Sequence, residues 1–370
     1  LQEFTKCAAF PLRPSGSAHP QHAPHGACHR SLGAEAEHAH GCKAFREMRG
    51  RWQHAGLHDI RRVRRIGPVD AGVPFNGVGH AEALIEVEQV LPIIQFQMDF
   101  MRHENDFTPK VIQEISFYED EFLPALSPDG SLLFFTRRGK AKAKGDVLTR
   151  EVETFNMSIR GNDSPVFEPD VALESPFNTG MRYGGASISI DNLELYIAAQ
   201  NPTATNPNNI DLFMTQYEVL DRDDDGNYLY LWGELSPISN VNTNEGWEAQ
   251  PALSADGKQL YYASVNEHSI KDDAGNPTMD IWITERNVAG EWGKPHLMPR
   301  PINSKFNDKA PFLHPDGNTL YFSSDRSPSG GGYDIWYCHR DSTGHWEDAK
   351  NLGAPVNTEG DEHGLVVSTD

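Results

Sequence analysis

The chain has 370 residues, with 53 acidic against 32 basic side chains and a formal net charge of −21 at pH 7. The imbalance is regional: residues 104–370 hold 43 of the acids and only 20 of the bases, which argues against nucleic acid or anionic lipid as partners. No stretch is long and apolar enough to span a membrane, since the best, Val90 to Met101, is broken by Pro92, Gln95, Gln97 and Asp99.

Residues 1–78 are rich in His, Ala, Arg and Gly and lack both alternation and helical periodicity. They are expected to form a disordered or low-complexity segment, or to lie outside genuine coding sequence. His22, His25, Cys28, His29, His38, His40 and Cys42 crowd together there, but their spacing matches no closed zinc pattern, so no metal site is assigned. Residues 79–107 read as a linker, weakly helical from Glu82 to about Met101. Cys7, Cys28 and Cys42 precede the repeats and Cys338 falls on a predicted strand, so no disulfide framework is expected among the repeats. The chain opens on Leu and stops at Asp370 inside a repeat, and it reads as a fragment.

From residue 108 onward one unit recurs. An apolar strand, a tight S-x-D-G turn and a second strand ending in aromatics appear as LPALSPDGSLLFF from Leu123, GASISIDNLELYI from Gly185, AQPALSADGKQLYY from Ala249 and KAPFLHPDGNTLYF from Lys309. A truncated copy, HGLVVSTD, follows from His363. The turn aspartates Asp129, Asp191, Asp256, Asp316 and Asp370 are spaced by 62, 65, 60 and 54 residues. Asp and Gly tolerate the angles of a tight hairpin, so each copy predicts two antiparallel strands. Third strands are predicted at GDVLTR from Gly145, IDLFMT from Ile210, MDIWIT from Met279 and YDIWYC from Tyr333, and fourth strands after the NVAG and DSTG turns. Four strands per repeat at this period specify an all-β fold, a β-propeller of four-stranded antiparallel blades, with four complete blades and the start of a fifth. Such an incomplete ring is expected to be an open arc with exposed strand edges.

A second register supports the first. Phe177-Asn178-Thr179, Val241-Asn242-Thr243, Ile302-Asn303-Ser304 and Val356-Asn357-Thr358 fall where one blade hands over to the next, and such side chains can cap a crossing.

Two acidic patterns are candidates for chemistry. DRDDDGN from Asp221 has alternate oxygens suited to calcium, but Trp232 stands where an EF-hand needs Glu, and the register makes this a hairpin turn. Calcium is therefore the one ion considered, and no cofactor is assigned. Eight residues before the turn aspartate stands an acid in four of five copies: Glu121, Glu248, Asp308 and Glu362, with Tyr183 as the exception. With first strands innermost, these carboxylates would recur near one channel mouth and could draw a cation or a basic peptide end. Equally, each could cap its own strand. No G-x-S-x-G elbow, P-loop, HExxH or dinucleotide fingerprint occurs, and no catalytic residue is assigned.

The SPDG, SADG and HPDG turns, the LYYAS and LYFSSDR strands and the DIW strands resemble the WD40-like PD40 repeats of TolB. The stretch from Tyr321 to Glu362 is similar to Bacteroidetes envelope proteins in which PD40 repeats precede an OmpA-like domain. That resemblance implies a six-bladed propeller in the periplasm, associated with the outer membrane and acting by protein–protein contact without catalysis. It departs from the pattern in the SIDN turn and in lacking an OmpA-like domain. The other readings are a propeller domain of a prolyl-oligopeptidase-like peptidase and a carbohydrate-active propeller.

Overall fold

The computed structural model describes residues 109–116, 120–141, 149–161, 166–180, 182–200, 209–222, 228–244 and 246–367, together with five helical positions between 91 and 100. Residues 1–78 with their His/Cys cluster, the tip of DRDDDGN at 223–227, and Asp370 lie outside the described residues. The chain divides into two units, residues 13–102 and the remainder, and the strands belong to the latter. Among the described residues no helix is long and apolar enough to cross a membrane.

Each blade begins where apolar residues flank a tight x-x-Asp turn, Ser-x-Asp in the first three and His-Pro-Asp in the fourth. The first is β1 (Asp120–Leu126), β2 (Leu132–Ala141), β3 (Arg150–Ile159) and β4 (Val171–Ala172). The second is β5 (Tyr183–Ile188), β6 (Glu194–Gln200) and the long β7 (Ile210–Arg222), with β8 (Tyr228–Trp232) and β9 (Ser236–Pro237). The third comprises β10 (Trp247–Leu253), β11 (Gln259–Val265), β12 (Asp280–Glu285) and β13 (His296–Leu297). The fourth comprises β14 (Asp308–Leu313), β15 (Thr319–Ser324), β16 (Asp334–His339) and β17 (Lys350–Asn351). Sheet order follows chain order and the pairing is antiparallel throughout. The propeller of four-stranded blades expected from the repeats is the observed fold.

Two elements differ from expectation. The first blade's third strand lies at Arg150–Ile159, downstream of GDVLTR. Arg137 pairs with Thr154, as Ser264 pairs with Asp280 and Ser324 with Asp334. Thr154 thus stands where later blades carry Asp, and that substitution hid the register. In the second blade β7 runs on past its counterparts and pairs with β8, while β9 takes the fourth position against Phe213 and Met214. DRDDDGN is flanked by these paired strands, Arg222 facing Tyr228.

Cores form between blades rather than within them. Phe134, Phe155 and Phe177 of the first blade pack with Tyr183, Leu195 and Ile197 of the second. Tyr196 and Leu212 then pack against Leu260 and Trp282 of the third, and Tyr261 and Ile281 against Leu320 and Trp336 of the fourth. A fully buried side chain of this size contributes roughly 1.5–3 kcal/mol, and here the burial exists only while neighbours stack. At the start of the array, residues 109–116 cover the first blade: Ile112 and Ile115 pack on Leu133, Phe135 and Phe167.

The arc is not open. Gly364, in the extended segment of the fifth copy, comes so near the first blade that an added Cβ would stand 3.0 Å from the Cα of Leu123. Four innermost strands and this segment therefore surround one axis. A glycine at the contact permits the close backbone approach.

Candidate functional site

Six residues before each turn aspartate the innermost strand is broken in the same way. Leu123, Gly185, Gln250, Ala310 and Gly364 all have positive φ, between 48° and 90°. In the four complete blades the strand register shifts there, from Phe122 to Ala125, Tyr183 to Ala186, Ala249 to Ala252 and Lys309 to Phe312. These are β-bulges, which re-aim the strand that follows. Pro124, Pro251 and Pro311 come directly after three of them, where no ladder donor is required. Gln250 also links two blades, its side-chain oxygen accepting the Ala310 N–H at 2.8 Å.

The re-aimed segments enclose a central cavity of 380 Å³, lined by all five bulge residues and by Ala125, Ala252, Leu253, Phe312 and Val366 among others. Its rim is formed by the second residue of each turn: Pro128, Ile190, Ala255 and Pro315. Polar groups on this wall are mostly committed: Ser187 accepts the Leu253 N–H, and the Arg160 guanidinium donates to the Gly130 carbonyl.

The turn aspartates Asp129, Asp191, Asp256 and Asp316 are all exposed, and of the four Asp129 also lines the cavity. One oxygen of each holds its turn. Asp256 accepts the Ser254 hydroxyl at 2.7 Å and the Lys258 N–H at 3.1 Å, and the Ser254 bond comes first in holding its carboxyl below the usual range. Ser127 with Asp129 and Ser189 with Asp191 repeat the hydroxyl contact, and Asp316 accepts the Asn318 N–H at 2.7 Å.

The four acids eight residues before these turns sit elsewhere. Glu121, Glu248, Asp308 and Glu362 are not among the residues lining the central cavity. Thr243 donates to Glu248 through its N–H (3.0 Å) and its hydroxyl (2.8 Å). Ser304 donates both groups to Asp308, at 2.7 and 2.8 Å, and Thr358 donates both to Glu362. Glu121 pairs with Arg137 at 3.0 Å. In the copy without an acid, the Tyr183 hydroxyl accepts the Gly180 N–H. This is the strand-capping arrangement. Burial, opposed by the Thr243 bonds, pushes the Glu248 carboxyl up to about 7, and burial also raises Asp308 although Arg326 pairs with it.

The Asn of each handover triplet clamps the preceding blade. Asn303 accepts the Ile281 N–H at 2.8 Å and donates to the Ile281 and Met298 carbonyls at 2.8 and 2.9 Å. Asn178 treats Phe155, Asn242 treats Leu212 and Asn357 treats Ile335 in the same way. Handover Asn and following acid thus form one device, tying the third strand of one blade to the first strand of the next.

Sequence reasoning missed two features. The bulges left a signal, the L-P, Q-P and A-P pairs at one offset. Between blades, Arg286 bonds Glu194 at 3.0 Å and lies 4.5 Å over Trp292, and Arg340 bonds Tyr261 and lies 4.3 Å over Trp346. The six-residue Arg-to-Trp spacing in both copies was the available sign of this staple. Among the described residues no group of three or more His, Cys, Asp or Glu is placed to hold a metal.

No protein-family profile matches the chain, and no curated protein does. Among solved structures it is similar to TolB from Acinetobacter baumannii, at 13% identity over 66% of this chain and 57% of that one, with a TM-score of 0.32. A thermostable family-43 glycoside hydrolase has 13% identity over 67% of this chain and 77% of that one, with a TM-score of 0.42. Puromycin hydrolase has 12% identity over 67% of this chain and 40% of that one, with a TM-score of 0.35. The chain thus spans less than two thirds of the TolB and puromycin hydrolase structures. At such scores these likenesses carry no functional argument, and function has to be argued from the site itself.

Proposed function

We propose that this propeller is a non-enzymatic scaffold of the bacterial cell envelope, periplasmic and associated with the outer membrane, that binds a segment of a partner protein at its channel mouth. One observation carries the reading: the central cavity is lined at its turns mainly by apolar residues, Pro128, Ile190, Ala255 and Pro315, with Asp129 beside them, and its wall is chiefly apolar side chains and bulged backbone. Concave apolar surfaces with a few placed polar groups bind ligands. Here Ser127, Ser187, Ser254 and Arg160 of the wall are held in structural bonds, which suits recognition better than bond-making. The envelope location rests on the resemblance of the turns and DIW strands to PD40 repeats. No cofactor is required for this role.

The test compares affinity capture by the wild type with capture by Ala255→Arg at the rim and by Lys294→Glu away from it. A partner protein retained by the wild type and Lys294→Glu, and lost with Ala255→Arg, supports the reading. Equal retention by all three contradicts it.

A further inference from the structure

The second blade departs from its siblings at one turn. Where the other copies have Pro128, Ala255 and Pro315 it has Ile190, and where they have Ser131, Lys258 and Asn318 it has Leu193. Neither side chain is buried: Ile190 is 54% exposed and Leu193 52%. A tight turn gains nothing from Ile or Leu in water, so their presence there calls for something that covers them. Beside this turn an open groove of 610 Å³ runs between the second and third blades, lined by Ile190, Asp191, Asp256 and Val288 among others. Val288, at the tip of a third-blade hairpin, is fully exposed. Ile190 also lines the central cavity, so groove and channel mouth adjoin at this residue.

The groove's charges select the occupant. Glu194 is already neutralised by Arg286 at 3.0 Å. Asp256 has only a distant partner, Lys258 at 3.9 Å, and among the described residues no cation pairs with Asp191. A second copy of this chain, at a net charge of −21, would be repelled. We infer that the groove between the second and third blades holds an extended, alternating basic and apolar segment of a partner protein as it leaves the channel mouth. Its apolar side chains would cover Ile190 and Val288, and its Lys or Arg side chains would meet Asp191 and Asp256. The inference rests on the channel-mouth reading above and adds the chemistry and path of the bound segment.

The test uses the full chain and a fluorescein-labelled dodecapeptide of alternating Lys and Val, with Lys/Ser and Glu/Val peptides as controls, read by fluorescence anisotropy. Ile190→Ser with Val288→Ser should weaken Lys/Val binding at least tenfold. Val171→Ser with Leu231→Ser, which removes exposed apolar groups elsewhere, should leave it unchanged. All four side chains are exposed, so the blade cores stay intact. The Lys/Ser and Glu/Val peptides should each bind at least tenfold more weakly than Lys/Val. Unchanged affinity in the Ile190/Val288 variant, or equal binding of Lys/Ser and Lys/Val, would overturn the groove. If Ala255→Arg still abolishes partner capture in that event, the channel-mouth reading survives without it.

Discussion

Among the described residues Glu248 is a carboxyl with hydrogen bonds but no paired cation. Its siblings Glu121 and Asp308 have Arg137 and Arg326, whereas Glu248 has Thr243 and Ser264. Burial raises it from 4.5 to about 7, so between those pH values the folded state binds more protons than the unfolded one. Stability therefore falls as pH rises through this window and is level above it. Replacing Glu248 with Gln should shift the stability difference in favour of the variant by on the order of 2–3 kcal/mol between pH 4.5 and pH 8, measured by urea unfolding. A difference that does not vary with pH would contradict this account. The Asn clamps offer a second check. Asn303→Ala removes the bonds to the Ile281 N–H and the Met298 carbonyl in a buried site and leaves the Ile281 carbonyl with the Met298 N–H alone, and it should cost about 2–4 kcal/mol. An exposed Asn such as Asn287 should cost far less on the same substitution.

Among the elements, the bulge controls where each innermost strand points. Gly185 has φ of +90°, and a Cβ there would meet the Leu123 side chain at 3.2 Å. Gly185→Ala should therefore cost roughly 1–2 kcal/mol from backbone strain, with crowding in addition. Thermal unfolding measures this, and a neutral effect would show that the strand can re-register. The hairpins were legible in the sequence because Ser and Asp side chains bond the turn's own backbone, a local interaction that local residues announce. The bulges were marked only by the prolines that follow three of them, because Leu123, Gln250 and Ala310 adopt an angle their side chains disfavour and no local propensity announces it. Likewise the first blade's third strand escaped because Thr154 replaces the expected Asp, and only pairing with Arg137 fixes its register. The offset of Glu121, Glu248, Asp308 and Glu362 was visible, but the direction of their side chains was not, since it depends on Arg137, Thr243, Ser304 and Thr358.

For the whole molecule, the cores shared between blades make stability a sum of neighbour contacts, while the shared axis gathers four strand ends and the fifth copy's segment at one mouth. The apolar turn residues Pro128, Ile190, Ala255 and Pro315, with the exposed turn aspartates beside them, are the product of that gathering. Binding of a partner at this mouth, as proposed, is tested by placing a photo-reactive amino acid at Ala255 and, separately, at Lys294 away from the mouth, followed by irradiation in the cells that make the protein. A discrete protein adduct from position 255 and none from position 294 is the predicted result. An adduct from position 294 alone, or none from position 255, would contradict the account.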